Sequence, residues 1–217
     1  MARWLCRTKG VAQFVRRDGS KTPYRWLYLT VVFIRMIKGV YDEEIIKKIS
    51  DLRHETGYHY ETMDSCKGDV DEAYQLFCKN LEKLREIVPV KTICMHGSPL
   101  SKYDNRDIWA KYDYKELGII GEPYFDVDYD KVLYLTDTGR GWNNRDASIR
   151  DRVNQGFDLR VKTTFDLLEK IKEGKLPERV IINTHPQRWG EEFFPWVKEL
   201  IFQRVKNTIK WVIVKLR

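Results

Sequence analysis

The stretch RHETGYHYET, residues 53–62, sets His54 and His59 five positions apart among carboxylates and tyrosines. The chain has 4 histidines in all, and the other two stand alone, His96 in MHGSP and His185 in INTHPQRW. Neutral imidazole is a common ligand for divalent metals, and histidine is the side chain best suited to proton transfer near neutral pH. These positions are therefore where hydrolytic or metal chemistry would be done. His59 has the type and setting of a metal ligand, the plainer reading being a polar residue at a strand end. His54 follows a helical run and reads as a ligand or as a capping or surface histidine. His96 has small, turn-forming neighbours that would let a substrate approach closely. Pro186 holds the backbone after His185, which suits a positioned general acid. Trp142 and Trp189 follow two of the turns and offer either sugar-stacking faces or rim packing.

The elements that position these residues can be read from periodicity. WLYLTVVFI (26–34) is a continuous apolar run and reads as a buried strand. Ile45, Ile46, Ile49 and Leu52 recur at helical spacing behind Asp42 as N-cap. GYHY is a short extended segment. Asp69 and Glu72 stand at capping-box spacing before a helix whose apolar stripe is Ala73, Leu76, Phe77, Leu81 and Leu84. Pro89 stops that helix, and VKTICMHG is a strand running into a glycine turn. The stretch 100–130 is irregular. KVLYLTDTG is a further strand, FDLLEKIKEG a helix closed by Gly174, RVIINTHP a strand ended by Pro186, and FFPWVKELIFQRVKNTIKWVIV a helix with a strand-like last run.

Strands alternating with helices imply an α/β fold with parallel strands, and either a barrel or a doubly wound sheet satisfies the order. No repeat or linker interrupts the chain, so a single domain is expected. GYHY carries His59, TICMH ends in His96, VLYLTD in Asp137 and VIINTH in His185. In parallel α/β folds such C-terminal strand ends converge on one rim, where ligands bind.

Composition excludes several classes. At 217 residues, with 42% hydrophobic and 13% aromatic content, the chain is globular rather than disordered. Its net charge of +7 comes from interspersed Lys/Arg (39) and Asp/Glu (32), with the excess at the two ends. No zinc-finger, RNA-binding or helix-turn-helix pattern accompanies that charge, so no nucleic-acid partner is expected. The 4 cysteines (6, 66, 78, 94) form no C-x-x-C pair, which fits a reducing, cytoplasmic setting. The nine-residue apolar run is too short for a bilayer, which needs about 20 residues, and starts too late for a signal peptide. No membrane partner is expected.

LRHETGYHYE, VKTICMHGSPLSKYDNRDIW, GIIGEPY, LTDTGRGWN and INTHPQRW together resemble the NodB-type polysaccharide deacetylases, in particular a bacterial deacetylase-like branch of that superfamily. The resemblance covers roughly residues 15–211. It implies a distorted or incomplete (β/α) barrel of the glycoside hydrolase/deacetylase type, residues 26–217 forming the domain and residues 1–25 a basic segment with a degenerate first strand. It also implies one divalent metal, expected to be zinc, and hydrolysis of N- or O-acetyl groups on a carbohydrate. His59 resembles the first histidine of the metal motif, and His185 the terminal catalytic histidine that protonates the leaving group. Asp18, in RRDGSKTP, falls on the general base. Asp137, Arg140, Trp142 and Trp189 are expected to line the substrate groove.

Two positions depart from the family pattern. Ser20 stands where a second acidic residue is expected, and a hydroxyl is a poor ligand for a divalent cation. Met63 stands where the second metal histidine is expected, with His54, Asp64 or His96 as substitutes. These departures support an alternative: a carbohydrate-binding member of the fold that has lost catalysis.

Overall fold

The structure, a computed structural model, describes residues 10–15, 29–36, 41–97, 101–138, 141–142, 153–185 and 193–216. Asp18, Ser20, Arg140 and Trp189 lie outside the described residues. The chain is mixed α/β and divides into two compact units, the first chiefly Val31–Val127 and the second chiefly Asp128–Arg217. Each is described by itself.

A four-stranded sheet has the order β1-β2-β3-β4, made of β1 (Gly10–Val15), β2 (Leu29–Ile34), β3 (Glu55–Tyr60) and β4 (Val90–Met95), and the first unit holds most of β2 and all of β3 and β4. β2 to β4 are parallel, with Phe33 opposite Gly57 and His59 opposite Cys94. The apolar run of residues 26–34 thus supplies a strand, as its composition predicts. Helix α1 (Glu43–Asp51) starts at Asp42, whose side chain accepts from the backbone N–H of Glu44 (3.0 Å) and Ile45 (3.2 Å). Ile45, Ile46 and Ile49 are buried, but Leu52 is 55% exposed. The expected stripe ends one turn early because the helix stops at Asp51 and Arg53 adopts a positive φ of 62°. After β3 come the short α2 (Thr62–Ser65) and the long α3 (Val70–Arg85). Asp69 caps α3 by accepting from Asp71 and Glu72 N–H, both at 2.9 Å. Ala73, Phe77, Leu81 and Leu84 form its buried stripe.

Period-two alternation divides the sheet's side chains between two faces. Val32, Ile34, Tyr58, Tyr60, Ile93 and Met95 join the α1 and α3 stripes in the main core. Val31, Phe33 and Cys94 form a smaller cluster on the opposite face. Gly57 belongs to that second face: a Cβ there would stand 2.5 Å from the Phe33 ring, so the close approach of Phe33 requires glycine.

The irregular stretch after β4 is ordered by its aspartates. Asp104 and Asp113 cap two 3₁₀ turns, Asn105–Ala110 and Tyr114–Leu117. The first carries Trp109 onto Tyr60 and Phe77, and its indole N–H donates to Tyr60 Oη (2.8 Å). Gly121 then forms a parallel bridge with Thr92, just before α4 (Pro123–Asp126).

The second unit holds a parallel pair, β5 (Leu133–Thr136) and β6 (Val180–Asn183), in register Leu133 to Val180 through Thr136 to Asn183. Between them lies α5 (Thr164–Lys172), with a full capping box between Thr163 and Asp166. Leu133, Leu135, Val161, Leu167 and Val180 make this unit's core. Gly174, at φ 66°, terminates the helix in the left-handed conformation that glycine adopts without steric cost. α6 (Phe193–Leu216) is helical over the run that local composition reads as strand-like. No helix among the described residues is long and apolar enough to cross a membrane.

Candidate functional site

In the first unit, three strand ends bring four polar residues to one face of the sheet. Arg35 follows β2, His59 is the next-to-last residue of β3, Glu61 follows β3 and His96 follows β4. Their parity matches Phe33 and Cys94, so they continue the face turned away from α1 and α3. His59 is buried, and its Nδ1–H donates to Cys94 O at 2.8 Å. A carbonyl can only accept, so the neutral ring carries its proton on Nδ1 and its lone pair on Nε2. The His96 ring meets it edge-on with centroids 5.1 Å apart.

Glu61 is the hub of this cluster. Arg35 Nε donates to Oε1 at 2.9 Å and Arg35 Nη2 donates to Oε2, a bidentate pair in a half-buried setting. His96 Nδ1 lies 3.1 Å from Oε2, off the line of a hydrogen bond, and is buried without another partner among the described residues. Burial alone would raise the Glu61 carboxyl, but contact with His96 and Arg35 outweighs it and holds the group below its ordinary range.

Asn105 fixes the approach of His96. Its buried amide donates to His96 O (2.8 Å) and accepts from Met63 N–H (3.0 Å). Met63 itself is 3% exposed in the hydrophobic core, so the position where the family pattern expects a second metal histidine faces away from the cluster. Of the possible substitutes, only His96 stands beside His59. Asp64 accepts from Ser101 Oγ at 2.5 Å. His54 precedes β3, so five residues of extended strand, roughly 16 Å, separate it from His59.

Glu122 supports the end of β4 from below the cluster. It is fully buried and accepts from Met95 N–H (3.0 Å) and Tyr124 N–H (2.6 Å). Burial pushes its carboxyl up to about 7, against the pull of those N–H groups and Arg106.

The second unit brings together two of the expected residues. Asp137 follows β5 and His185 lies two residues beyond β6. Asp137 Oδ2 accepts from the His185 backbone N–H (3.0 Å), and Oδ1 accepts from ring Nδ1. A single carboxylate thus sets both the backbone and the ring of His185, with side chains 15% and 22% exposed respectively. The ring's proton is on Nδ1, so Nε2 is the atom that would take or give a proton. Trp142 packs on the second unit's core, and its indole N–H donates to Thr164 Oγ1 (3.2 Å).

Arg35, Glu61 and Asn105 are functional candidates that sequence reading passed over. Glu61 had a usable signal, since it is two residues from His59 and so shares its face of the strand. Arg35 and Asn105 had none, being 26 and 9 residues from their partners. Zinc takes imidazole and carboxylate donors, and catalytic sites use three protein ligands. The cluster offers two imidazoles, while both Glu61 oxygens are engaged by Arg35. Among the described residues no group of three or more His, Cys, Asp or Glu side chains is placed to hold a metal ion. The donor types suit zinc and fall one short in number. Neither a protein-family model, a curated protein nor a solved structure matches the chain.

Proposed function

We propose that the chain is a hydrolase that removes acetyl groups from a carbohydrate, with His185 as its general acid. The observation that carries the reading is the Asp137–His185 dyad at the exits of two neighbouring parallel strands. A carboxylate that orients an imidazole and stabilises its protonated form suits it to deliver a proton to a departing group. In an N-acetyl substrate, water adds to the acyl carbon, the C–N bond breaks and acetate is released. The amine nitrogen takes the proton that His185 Nε2 carries. In an O-acetyl substrate the same proton goes to the sugar oxygen.

A divalent metal, zinc by its donor types, would take His59 and His96 as two of its protein ligands, no third being placed beside them among the described residues, and would supply Lewis-acid polarisation of the acetyl carbonyl. Around it, Cys94 O orients His59, while Arg35 and Asn105 hold Glu61 and the His96 backbone. Asp18 is the proposed base. In fold terms, we read the parallel sheets as parts of a distorted (β/α) barrel, supported by the β–α–β order.

Acetate release from N-acetylated chito-oligosaccharides and O-acetylated oligosaccharides tests the reading. Wild-type chain supplied with zinc is expected to release acetate, and His185→Ala and His59→Ala each to lose it. Protein that binds no metal, or that releases no acetate from either substrate class, overturns the reading. A second reading, sugar binding without hydrolysis, is favoured by the shortage of a third ligand among the described residues. It predicts glycan binding with no acetate release.

A further inference from the structure

Helix α6 carries its apolar side chains on the outward face. Leu200, Gln203 and Asn207 recur three and four residues apart and form its covered side. Gln203 is 9% exposed there, and its Nε2 donates to Asn207 Oδ1 at 2.8 Å. On the opposite side, at about 100° of turn per residue, Phe194, Ile201, Phe202 and Val205 form a stripe that is 53% to 82% exposed. The spacing continues in the sequence at Ile209, Val212 and Leu216. A surface helix of a globular protein turns such a stripe to the core, and an apolar stripe left open marks an interaction site.

We propose that the outward face of α6 docks on an anionic lipid membrane, the helix lying in the plane of the interface with its stripe below the headgroups. Charge selects this occupant. The basic residues of 193–217 are Lys198, Arg204, Lys206, Lys210, Lys215 and Arg217, against the one acid Glu199. Lys198, Arg204 and Lys206 are exposed, and helical periodicity sets Arg204 and Lys206 on the two borders of the stripe. Lys206 Nζ lies 5.1 Å from the centre of the Phe202 ring, so a cation sits at the edge of the apolar surface, where a long side chain can keep its charge among headgroups. Apolar stripe and basic borders together are the pattern of an interfacial helix. A second copy meeting this face stripe to stripe would bring like charges together, and a nucleic acid would offer little apolar surface to Ile201 and Val205. The length argument against a membrane partner concerns a spanning segment, and a helix that lies in the interface does not need to cross. The proposal is independent of the hydrolase reading.

Co-sedimentation of the full chain with lipid vesicles tests it. Vesicles of phosphatidylcholine mixed with phosphatidylglycerol are expected to bind the protein, and vesicles of phosphatidylcholine alone to leave most of it in solution. Added salt should weaken the binding. Phe202→Ser should lower the partition coefficient at least about tenfold, through the apolar surface no longer buried in lipid. Arg204→Gln should lower it about fivefold, as loss of one basic residue at an anionic surface predicts. Both side chains are exposed, so the circular dichroism and urea midpoint of each variant should match the wild type. No binding to the mixed vesicles, or binding that Phe202→Ser leaves unchanged, overturns the proposal. A wild-type dimer that Phe202→Ser splits, with no partition into vesicles, overturns it in favour of a second copy. Binding to single-stranded RNA without binding to vesicles overturns it in favour of a nucleic acid.

Discussion

The two polar clusters solve the same problem, holding an imidazole at a strand end, by different means. In the second unit one carboxylate, Asp137, does everything for His185, and both residues lie at the ends of strands paired side by side. In the first unit the work is spread over several groups. His59 is set by a backbone carbonyl, His96 by Asn105 and the Arg35–Glu61 pair, and the strand beneath by buried Glu122. A two-residue device has its chemistry concentrated in a side chain that is partly open to solvent. A distributed network is coupled to the fold that carries it. The first should fail chemically without unfolding, and the second should lose stability as it loses function.

The sharpest way to break this contrast is Asp137→Asn. An amide in place of the carboxylate no longer enforces the Nδ1–H tautomer, so kcat for acetate release should fall about 10³- to 10⁴-fold, or roughly 4–5.5 kcal/mol. The urea midpoint should move little, and a large loss of stability would show that the dyad is structural.

Next in size is a pH effect confined to the first unit. The Glu122 carboxyl is raised from an ordinary 4.5 to about 7 by burial, so folding takes up a proton between those values. Its contribution to stability is full below pH 4.5 and is lost as pH rises through 7, at most roughly 3 kcal/mol. Amide exchange in β4 should therefore quicken between pH 5 and about 8, more than exchange in β5, and Glu122→Gln should flatten that slope.

Asn105→Ala should cost on the order of 2 kcal/mol, because it leaves Met63 N–H and His96 O without their partner. The same change should weaken zinc binding, read by competition with a chelator; unchanged affinity would show that the His96 backbone needs no such anchor. The smallest effect belongs to His54→Ala. That residue is set apart from His59 by the length of β3, so metal content and acetate release should both be unchanged.

Much of the local structure was legible in the chain. Asp42 and Asp69 announce their helices because a short carboxylate satisfies the free N–H groups of a first turn, wherever the helix packs. The continuous apolar runs announce buried parallel strands for a similar reason. His59, His96, Asp137 and His185 could be placed at strand ends without knowing which strand neighbours which. Leu52 and the end of α6 were misread, since helical spacing does not reveal where a chain turns, and a β-branched run follows its context.

The sequence by itself determined the parts: where strands and helices form, and which of them end in groups able to move protons or bind metal. Those are consequences of periodicity and capping, which act within a few residues. Only the tertiary structure decided the partnerships. His59 meets Cys94 O and His96 through the register of β3 on β4, and Arg35 meets Glu61 through β2 beside β3. Met63 turns into the core rather than toward His59. Register and packing are settled between segments tens of residues apart, by burial and hydrogen bonding that no local pattern encodes.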